Sequence, residues 1–439
     1  MNEQRRLRIA LLGAGTVGAQ VARLLLEQAD EFAARIGAPV ELTGIAVRDV
    51  EAPRDVELPR ELLTTEAEDL VLGADIVIEL MGGIEPAKSL IEKALDGGAD
   101  VVTGNKALLA EHGPALFERA ERVGAAIYYE ASVAAAIPII RPLRESLAGD
   151  NVRSILAIVN GSTNFILDRM DRFGDSAEQA QATALELGYL EADPTLDVEG
   201  FDAAQKAALL ASLAFHTVVP AEAVHREGIT AVTAADVARA RSEDRVIKLL
   251  AIAERITDES GVEGVSTRVY PALIGRDHPL ASVHGGNNAV FVEAELAGPL
   301  MFYGAGAGGV QTASAILGDL VSAARRHVAG GPGLASSAHA ELPLLPIGSM
   351  TTRYQITLEV PDRAGVLAEV AGLLAEGGVS VETVQQTVQE PVAGADRTAM
   401  LVIGTHAARE QALRATVESF GASAAVTSVV SVLRVEGAH

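Results

Sequence analysis

Short aliphatic runs alternate with amphipathic stretches through the first third of the chain. The runs at residues 7–12, 40–47, 75–80, 100–103 and 126–129 predict strands, and the stretches at 17–27 and 86–95 predict helices. Most residues in these runs are apolar, which is typical of strands buried on both faces. A repeated strand–helix order with such strands predicts a parallel sheet covered by helices.

A glycine-rich turn follows the first predicted strand. Gly13, Gly15 and Gly18 have the G-x-G-x-x-G spacing, with Thr16 and Val17 opening the next helix. A turn of this kind lets a pyrophosphate approach the N-terminus of the helix. The spacing alone is weak, since Gly304, Gly306 and Gly309 match it as well. The order strand, turn, helix, strand favours the first match, and predicts a Rossmann-type NAD(P)-binding domain over residues 1–137.

The residue that follows the second predicted strand bears on the choice of coenzyme. An acid at that place binds the ribose hydroxyls of NAD, whereas an arginine accommodates the 2′-phosphate of NADP. Here Arg48 comes first and Asp49 after it. The pattern favours NADP over NAD, and the alternative is a surface charge pair.

The pattern changes after residue 138. Apolar and alternating stretches at 152–159, 265–274 and 289–296 predict strands, separated by helical and mixed segments. We expect an α+β substrate and dimerisation domain with an open sheet over residues 138–304. The glycine cluster around Gly306 and a helix over 312–325 are expected to return the chain to the cofactor, so that residues of about 305–327 complete the first domain. The alternative for the glycine cluster is a flexible loop.

An acidic segment lies inside this second domain, between one helix that ends near Gly188 and another that starts at Asp202. Its carboxylates are interrupted by Pro194 and Gly200, which predicts an extended, sharply turned loop. These carboxylates are Glu191, Asp193, Asp197, Glu199 and Asp202. Lys206 follows Asp202 by one helical turn and precedes an apolar run. One interpretation is a site for a cationic group with an oriented lysine; the other is a solvated loop with an ion pair.

The C-terminal part predicts a separate small module. Residues 328–350 are rich in Gly, Pro, Ser and Ala and are expected to be a linker. Strand and helix patterns over 351–439 follow the order βαββαβ, which is ferredoxin-like. Asp362 and Gly365 lie at the turn before its first helix, where a carboxylate could bind. The alternative is a dimerising module without a ligand.

Composition narrows the classes of function. The 439 residues carry a net charge of −24 and no cysteine. The charge argues against nucleic acid and anionic membranes as partners, because both would be repelled. Absence of cysteine excludes disulfides and thiolate metal sites. We expect no transmembrane segment, no signal peptide and a cytoplasmic location.

The acidic segment resembles the signature of the homoserine dehydrogenase family. The matching positions are Ala184, Gly188, Tyr189, Asp193, Pro194, Asp197, Gly200, Asp202 and Lys206, whereas Leu190 stands where the family usually has a small residue. Three further segments are similar to that family: Thr103-Gly-Asn-Lys106, Glu130-Ala-Ser-Val133 and Asn160-Gly-Ser-Thr-Asn164. The turn starting at Pro361 resembles that of an ACT domain. The resemblance to homoserine dehydrogenases covers most of the chain, from the nucleotide-binding domain through the acidic segment to the linker.

The resemblance implies reversible NAD(P)-dependent reduction of L-aspartate 4-semialdehyde to L-homoserine. It implies catalytic roles for Lys206 and Lys106, the latter touching the cofactor together with Thr103 and the glycine turns. The implied substrate residues are Gly188, Glu191, Asp197 and Asp202. The implied ligands of a monovalent cation such as sodium are Glu130, Val133, Ala135 and Ile137. Threonine is the implied effector of a homodimer or homotetramer. The alternatives are a reductase of another amino-acid semialdehyde and a non-catalytic nucleotide and amino-acid sensor.

The arginine after the second strand generates the first prediction. We expect kcat/KM to be higher with the NADP couple than with the NAD couple, because Arg48 can pair with the 2′-phosphate. Steady-state kinetics with both coenzymes on one preparation measures this ratio. A clear preference for NADH would contradict it.

Overall fold

The computed structural model describes residues 5–331, 338–388 and 397–437. The chain forms two compact units, each made of three separate stretches. The first unit contains Met1–Ile155, Gln205–Ala223 and Gly286–Glu341. The second contains Leu156–Ala204, Val224–Gly285 and Leu342–His439.

The described residues include the following elements in chain order. The strands are β1 Leu7–Leu12, β2 Val40–Ala46, β3 Leu63–Thr64, β4 Ile76–Glu79, β5 Asp100–Thr103, β6 Ile127–Tyr128, β7 Val152–Ile158, β8 His225–Arg226, β9 Arg245–Thr257, β10 Glu263–Gly275, β11 Asn287–Ala294, β12 Gly298–Ala305, β13 Thr351–Pro361, β14 Val381–Val388, β15 Thr398–Thr405, β16 Ala408–Arg409 and β17 Ser428–Val435. The helices are α1 Thr16–Glu27, α2 Ala29–Ile36, α3 Ala67–Leu72, α4 Ala87–Asp96, α5 Lys106–Val123, α6 Ala131–Ala134, α7 Gly161–Phe173, α8 Ala177–Glu186, α9 Thr195–Val198, α10 Phe201–Ala214, α11 Ala234–Ser242, α12 Gly309–Ala329, α13 Val366–Glu376 and α14 Glu410–Ala422. Within the described ranges, none of these helices combines the length and apolar character needed to span a bilayer.

The first unit is built on a six-stranded sheet in the order β3-β2-β1-β4-β5-β6. Its strand pairs are parallel, and β1 at the centre pairs Ile9 with Leu42 on one side and Ile76 on the other. The aliphatic runs that predicted these strands are buried on both faces, as a helix-covered parallel sheet requires. The predicted Rossmann-type fold is therefore confirmed.

One face of this sheet is covered partly by a helix from far along the chain. Ile316 and Leu320 of α12 join Val21 of α1 and Phe32 of α2 in a single buried cluster. Helix α12 runs from Gly309 to Ala329, longer at both ends than the predicted 312–325. A segment some three hundred residues from β1 thus belongs to the nucleotide-binding core.

The second unit contains a mixed sheet, in which six strands follow the order β9-β10-β17-β13-β15-β14. Strands β9 and β10 are antiparallel over thirteen residues each, from Arg245 opposite Gly275 to Thr257 opposite Glu263. Strand β17 then pairs in parallel with β10 and antiparallel with β13. The sequence missed β9, which lies in a segment interpreted only as mixed.

The C-terminal module has the order β13-α13-β14-β15-α14-β17, with the two-residue β16 added. This confirms the predicted ferredoxin-like ACT module. Its core includes Ile356 from the sheet, Val370 from α13 and Phe420 from α14. Of the predicted linker 328–350, residues 332–337 lie outside the described residues, and Leu344 forms a bridge with Val265. The predicted domain boundaries stay a prediction.

An ion-pair network anchors the last strand of the second unit. Arg434 on β17 donates to both carboxylate oxygens of Glu227, at 2.8 and 2.9 Å, and to Glu410 at 2.6 Å. Burial opposes ionisation of Glu227, but hydrogen bonds from His225 and Arg434 prevail and lower its pKa to about 2. The pairing therefore stabilises the fold at neutral pH.

Glu227→Gln tests this network. The folded pKa of Glu227 lies below its unfolded value of about 4.3, so its stabilisation is complete above that pH and is lost as pH falls towards 2. We expect the variant to melt about 3 °C lower at pH 7, with the gap closing in acid. Circular dichroism melts between pH 7 and 3 measure this. Glu418→Gln, in an exposed pair with Arg414, is the control; equal Tm values at pH 7 would contradict the role of Glu227.

Candidate active site

The glycine turn after β1 has the geometry that a dinucleotide site needs. Gly13 has φ +98°, which favours glycine. A Cβ on Gly18 would lie 2.0 Å from the carbonyl oxygen of Gly13, so only glycine fits there. A Cβ on Gly15 would meet no atom within 4 Å. The exposed Gly15 and Thr16 thus leave the N-terminus of α1 open to an anion.

The second glycine cluster packs against the first. A Cβ on Gly309 would lie 2.8 Å from the carbonyl oxygen of Thr16, so the start of α12 closely approaches the start of α1. Gly306 is similarly crowded by Asn288, and its N–H donates to Gly286 at 3.3 Å. The chain therefore returns to the dinucleotide turn at this point, as the sequence predicts. Contact of Gly306 with a cofactor stays a prediction.

The carboxyl ends of β4 and β5 are joined by a buried polar network. Glu79, fully buried at the end of β4, accepts hydrogen bonds from Thr103 Oγ1 at 2.6 Å and from the N–H of Met81 at 2.8 Å. Thr103 Oγ1 in turn accepts from the N–H of Asn105. The Asn105 side chain caps α5 and donates to Gly83. The loops next to the predicted cofactor site are thus fixed. Sequence reasoning missed Glu79, whose signal is an acid ending an apolar strand.

Arg48 lies just beyond β2, at the edge of the same sheet. It is exposed, and it makes no hydrogen bond or ion pair within the described part of the chain. The neighbouring Arg54 is instead occupied, donating to the main-chain oxygens of Asp49 and Ala52. Arg48 therefore retains all its donors for a ligand.

The segment after α8 turns sharply at Gly188, where φ is +76°. Ser162 donates to the carbonyl oxygen of Tyr189 at 2.5 Å, and the Tyr189 ring stacks on Phe165 with centroids 4.5 Å apart. The turn is thus held on α7. Glu191, the next predicted substrate residue, is exposed.

Two of the predicted acids are brought together by one side chain. Asn160 Nδ2 donates to Asp197 Oδ1 at 2.6 Å and to Asp202 Oδ2 at 2.9 Å. Asp202 is buried and Asp197 half-buried. The sequence predicts an extended loop here, but residues Thr195–Val198 form the single-turn helix α9, with Pro194 as its N-cap. Asn160 was noted in the sequence as part of a family-like motif, but not as the partner of these acids.

The two predicted catalytic lysines lie in the first unit. Lys106 is the first residue of α5, directly after its cap Asn105, and Lys206 lies on α10, four residues after Asp202. Both are half-buried. Partial burial restricts each ammonium group. The predicted convergence of the two on one substrate oxygen stays a prediction.

The predicted cation segment has a saturated carboxylate. Glu130 Oε1 accepts from the N–H groups of Ile139 and Ile140, at 2.5 and 2.6 Å, and Oε2 accepts two hydrogen bonds from Arg141. Asp319 accepts from the Glu130 N–H, and burial raises the Asp319 pKa to about 7. Across the described residues, no cluster of three acidic or histidine side chains could hold a metal. A cation here would need main-chain oxygens.

The helix-covered parallel sheet and its open glycine turn place the protein in the class of NAD(P)-dependent dehydrogenases. Family models agree: residues 13–130 match the homoserine dehydrogenase NAD-binding domain, 138–321 match homoserine dehydrogenase, and 354–421 match the ACT domain. The chain belongs to the homoserine dehydrogenase family, a family of oxidoreductases.

Individual relatives extend this result over the full length. The homoserine dehydrogenase of Corynebacterium glutamicum is 51% identical over 98% of this chain and 95% of its own. That of Mycobacterium tuberculosis is 50% identical over 99% of both chains. The crystal structure of a homoserine dehydrogenase from Thiobacillus denitrificans has a TM-score of 0.91 at 36% identity, covering 99% of both chains.

A pair of glycine substitutions separates the shape of the turn from its role in binding. Gly15→Ala places its methyl in open space on the cofactor side, so we expect an unchanged Tm of the free protein and weaker coenzyme binding. Gly18→Ala forces its methyl against Gly13, so both the Tm and the affinity for the coenzyme should fall. Melting curves and coenzyme titrations measure these effects. Gly372→Ala, also in open space, is the control; full coenzyme affinity in Gly15→Ala would contradict the assignment.

Proposed function

We propose that this chain interconverts L-aspartate 4-semialdehyde and L-homoserine in the synthesis of threonine, methionine and isoleucine. The observation that carries the proposal is the Asn160 amide holding Asp197 and Asp202 together. An acidic site of this kind suits a substrate with an ammonium group. A phosphorylated semialdehyde would instead call for arginines.

The substrate is held by carboxylates from the acidic segment. Glu191 is exposed and available to pair with the substrate ammonium, and Asp197 and Asp202 add fixed negative charge. Gly188 allows the chain to turn immediately before Glu191. The Asn160 amide offsets part of the repulsion between the two aspartates, so the site retains its charge without disrupting the loop.

The lysines supply the proton and the positive field. A bound nicotinamide supplies a hydride to the aldehyde carbon of the substrate. Lys206 donates a proton to the aldehyde oxygen as the carbon–oxygen bond becomes single, and Lys106 stabilises the negative charge that develops on that oxygen. In the reverse direction Lys206 takes the hydroxyl proton. Addition of one hydride and one proton to the aldehyde gives the alcohol.

The coenzyme is NADP by this proposal, with NAD as the alternative. Gly13, Gly15, Thr16, Val17 and Gly18 would hold the pyrophosphate of a bound coenzyme at the start of α1, and Thr103 and Gly306 would contact its nicotinamide part. The free donors of Arg48 support binding of a 2′-phosphate. A hyperthermophilic archaeal homoserine dehydrogenase, 29% identical over 75% of this chain with a TM-score of 0.60, was crystallised with NADPH.

A sodium ion would be held by main-chain oxygens of Glu130, Val133, Ala135 and Ile137. Both carboxylate oxygens of Glu130 are used by N–H donors, which supports a main-chain rather than side-chain contact at that residue. Ala135 has φ +52°, so the backbone turns there and the carbonyl groups before and after it point in different directions. Hard oxygen ligands suit a monovalent cation of this kind.

The ACT module is proposed to bind threonine as a feedback effector. Gly365 has φ +93° and precedes the eleven-residue α13, whose N-terminus suits a carboxylate. We further propose a homodimer or homotetramer, and the cytoplasm as its location.

Lys206→Ala tests the chemical step. With homoserine and NADP, the unaltered protein should produce absorbance at the reduced nicotinamide band, whereas a sensor would bind without turnover. The variant should lose about 10²–10⁴ in kcat while coenzyme affinity is retained. Lys93→Ala, which removes a surface ion pair with Glu68, is the control. Near-normal kcat in Lys206→Ala would reject the general-acid assignment.

Substitutions at the ACT turn test the effector. Gly365→Ala strains a left-handed position and should weaken inhibition by threonine while uninhibited kcat is unchanged. Initial rates over a threonine series give the inhibition constant for both proteins, with Gly372→Ala as the matched glycine control. Absence of inhibition in the unaltered enzyme would contradict threonine as effector, and an equal constant in Gly365→Ala would place its site elsewhere.

A further inference from the structure

A lysine is completely buried in the middle of β9, outside the residues of the proposed mechanism. Lys248 has no exposed surface, and its Nζ donates to Asn164 Oδ1 at 3.0 Å and to the carbonyl oxygen of Val283 at 2.6 Å. Removing an ammonium group from water is costly unless its donors are satisfied. Burial lowers the pKa of Lys248 to about 8. A lysine maintained at such a cost requires an explanation.

Both acceptors of Lys248 are uncharged, so Lys248 neutralises no acid there. Its role is to orient the groups that accept its hydrogen bonds. The nearest acids already have other partners. Asp168 accepts from His284 at 2.8 Å and lies 3.6 Å from Arg172, and Asp171 accepts from Arg276 at 2.7 Å. These acids do not depend on Lys248 for charge neutralisation.

Lys248 fixes the orientation of the Asn164 amide. Because an ammonium group only donates, Asn164 must present its oxygen to Lys248 and its nitrogen to the other side. That nitrogen donates to Val283 at 3.2 Å and to Gly285 at 2.8 Å. Lys248 and Asn164 together therefore clamp helix α7 to residues 283–285.

Helix α7 also carries Asn160, the partner of Asp197 and Asp202. Asn160 is the N-cap of α7, and Asn164 follows it by one turn, with its N–H donating to the Asn160 carbonyl oxygen at 3.2 Å. A rotation or shift of α7 would move the Asn160 amide relative to the two acids. A continuous set of hydrogen bonds and one rigid helical turn thus connects Lys248 to the acidic site.

We propose that Lys248 is a positioning residue: acting through Asn164, it sets helix α7 so that Asn160 presents Asp197 and Asp202 to the amino-acid substrate. This inference rests on the proposed function, because it assigns those two acids to the recognition of the substrate. It predicts an effect on binding of the amino acid without an equal effect on the coenzyme.

Lys248→Met tests the inference, since it keeps the length of the side chain and removes its donors. We expect KM for homoserine to rise about 10- to 100-fold, because a small displacement of a binding group has effects of that size. KM for the coenzyme should be unchanged. Ile247→Val, at the adjacent buried position of β9, is the matched control and should lower Tm without altering either KM.

A double-mutant cycle separates positioning from general destabilisation. In an Asn160→Ala background, Lys248→Met should cause no further rise in KM for homoserine, because the connection to the acids is already broken. If Lys248→Met does not fold, Asn164→Asp replaces it: the acceptor for Lys248 is kept, the donors to Val283 and Gly285 are lost, and KM should still rise.

An unchanged KM for homoserine in folded Lys248→Met, or in Asn164→Asp where it is the substitute, would overturn the inference. The inference would also be overturned if Lys248→Met and Asn160→Ala raised KM for homoserine independently, so that the double variant showed the product of the two single effects. A lack of homoserine oxidation by the unaltered protein would instead refute the proposed function. The two failures are therefore distinguishable in one set of assays.

Discussion

One amide group joins two carboxylates of the acidic segment. Asp197 and Asp202 come from a loop and from the start of a helix, and two ionised carboxylates at such short range repel each other. The Asn160 nitrogen has two hydrogens, and each is used for one carboxylate. Burial of Asp202 strengthens this arrangement, since the interaction is less screened than in water. This pair of hydrogen bonds fixes the two carboxylates relative to each other, and substrate binding there stays a prediction.

Glycine residues determine the close packing at the predicted dinucleotide site. A methyl group on Gly309 would collide with the carbonyl oxygen of Thr16, so the start of α12 lies against the start of α1. Within the turn itself, a methyl group on Gly18 would collide with the carbonyl oxygen of Gly13. The two G-x-G-x-x-G matches are therefore parts of one structure, although only the first precedes a Rossmann helix directly after its strand. Their contact also explains why α12, so distant in sequence, is part of the nucleotide-binding core.

The sequence predicted the parallel strands, the acidic segment and the ACT order well, because each has a local signal: apolar runs, spaced carboxylates, or alternation between turns. Strand β9 had a weaker signal, because Lys248 interrupts its apolar residues as an exposed residue would. Its full burial depends on Asn164, eighty-four positions away. Glu79 and Asn160 were likewise hidden, because their partners are known only once strands and helices are packed. Long-range hydrogen bonds leave no periodic pattern in a sequence.

The parallel pairing of β17 with β10 has a consequence for how such an enzyme can evolve. Ala272 and Leu273 of β10 lie opposite Arg434 and Val435, and the Glu436 N–H donates to Leu273 at 2.9 Å. The last strand of the ACT module is therefore hydrogen-bonded into the sheet that contains β10, so the module shares this sheet with the rest of its unit. A homologue without the ACT module would expose the edge of β10 that β17 now pairs with, and exposed strand edges promote self-association. Such a homologue would need other residues to cover that edge.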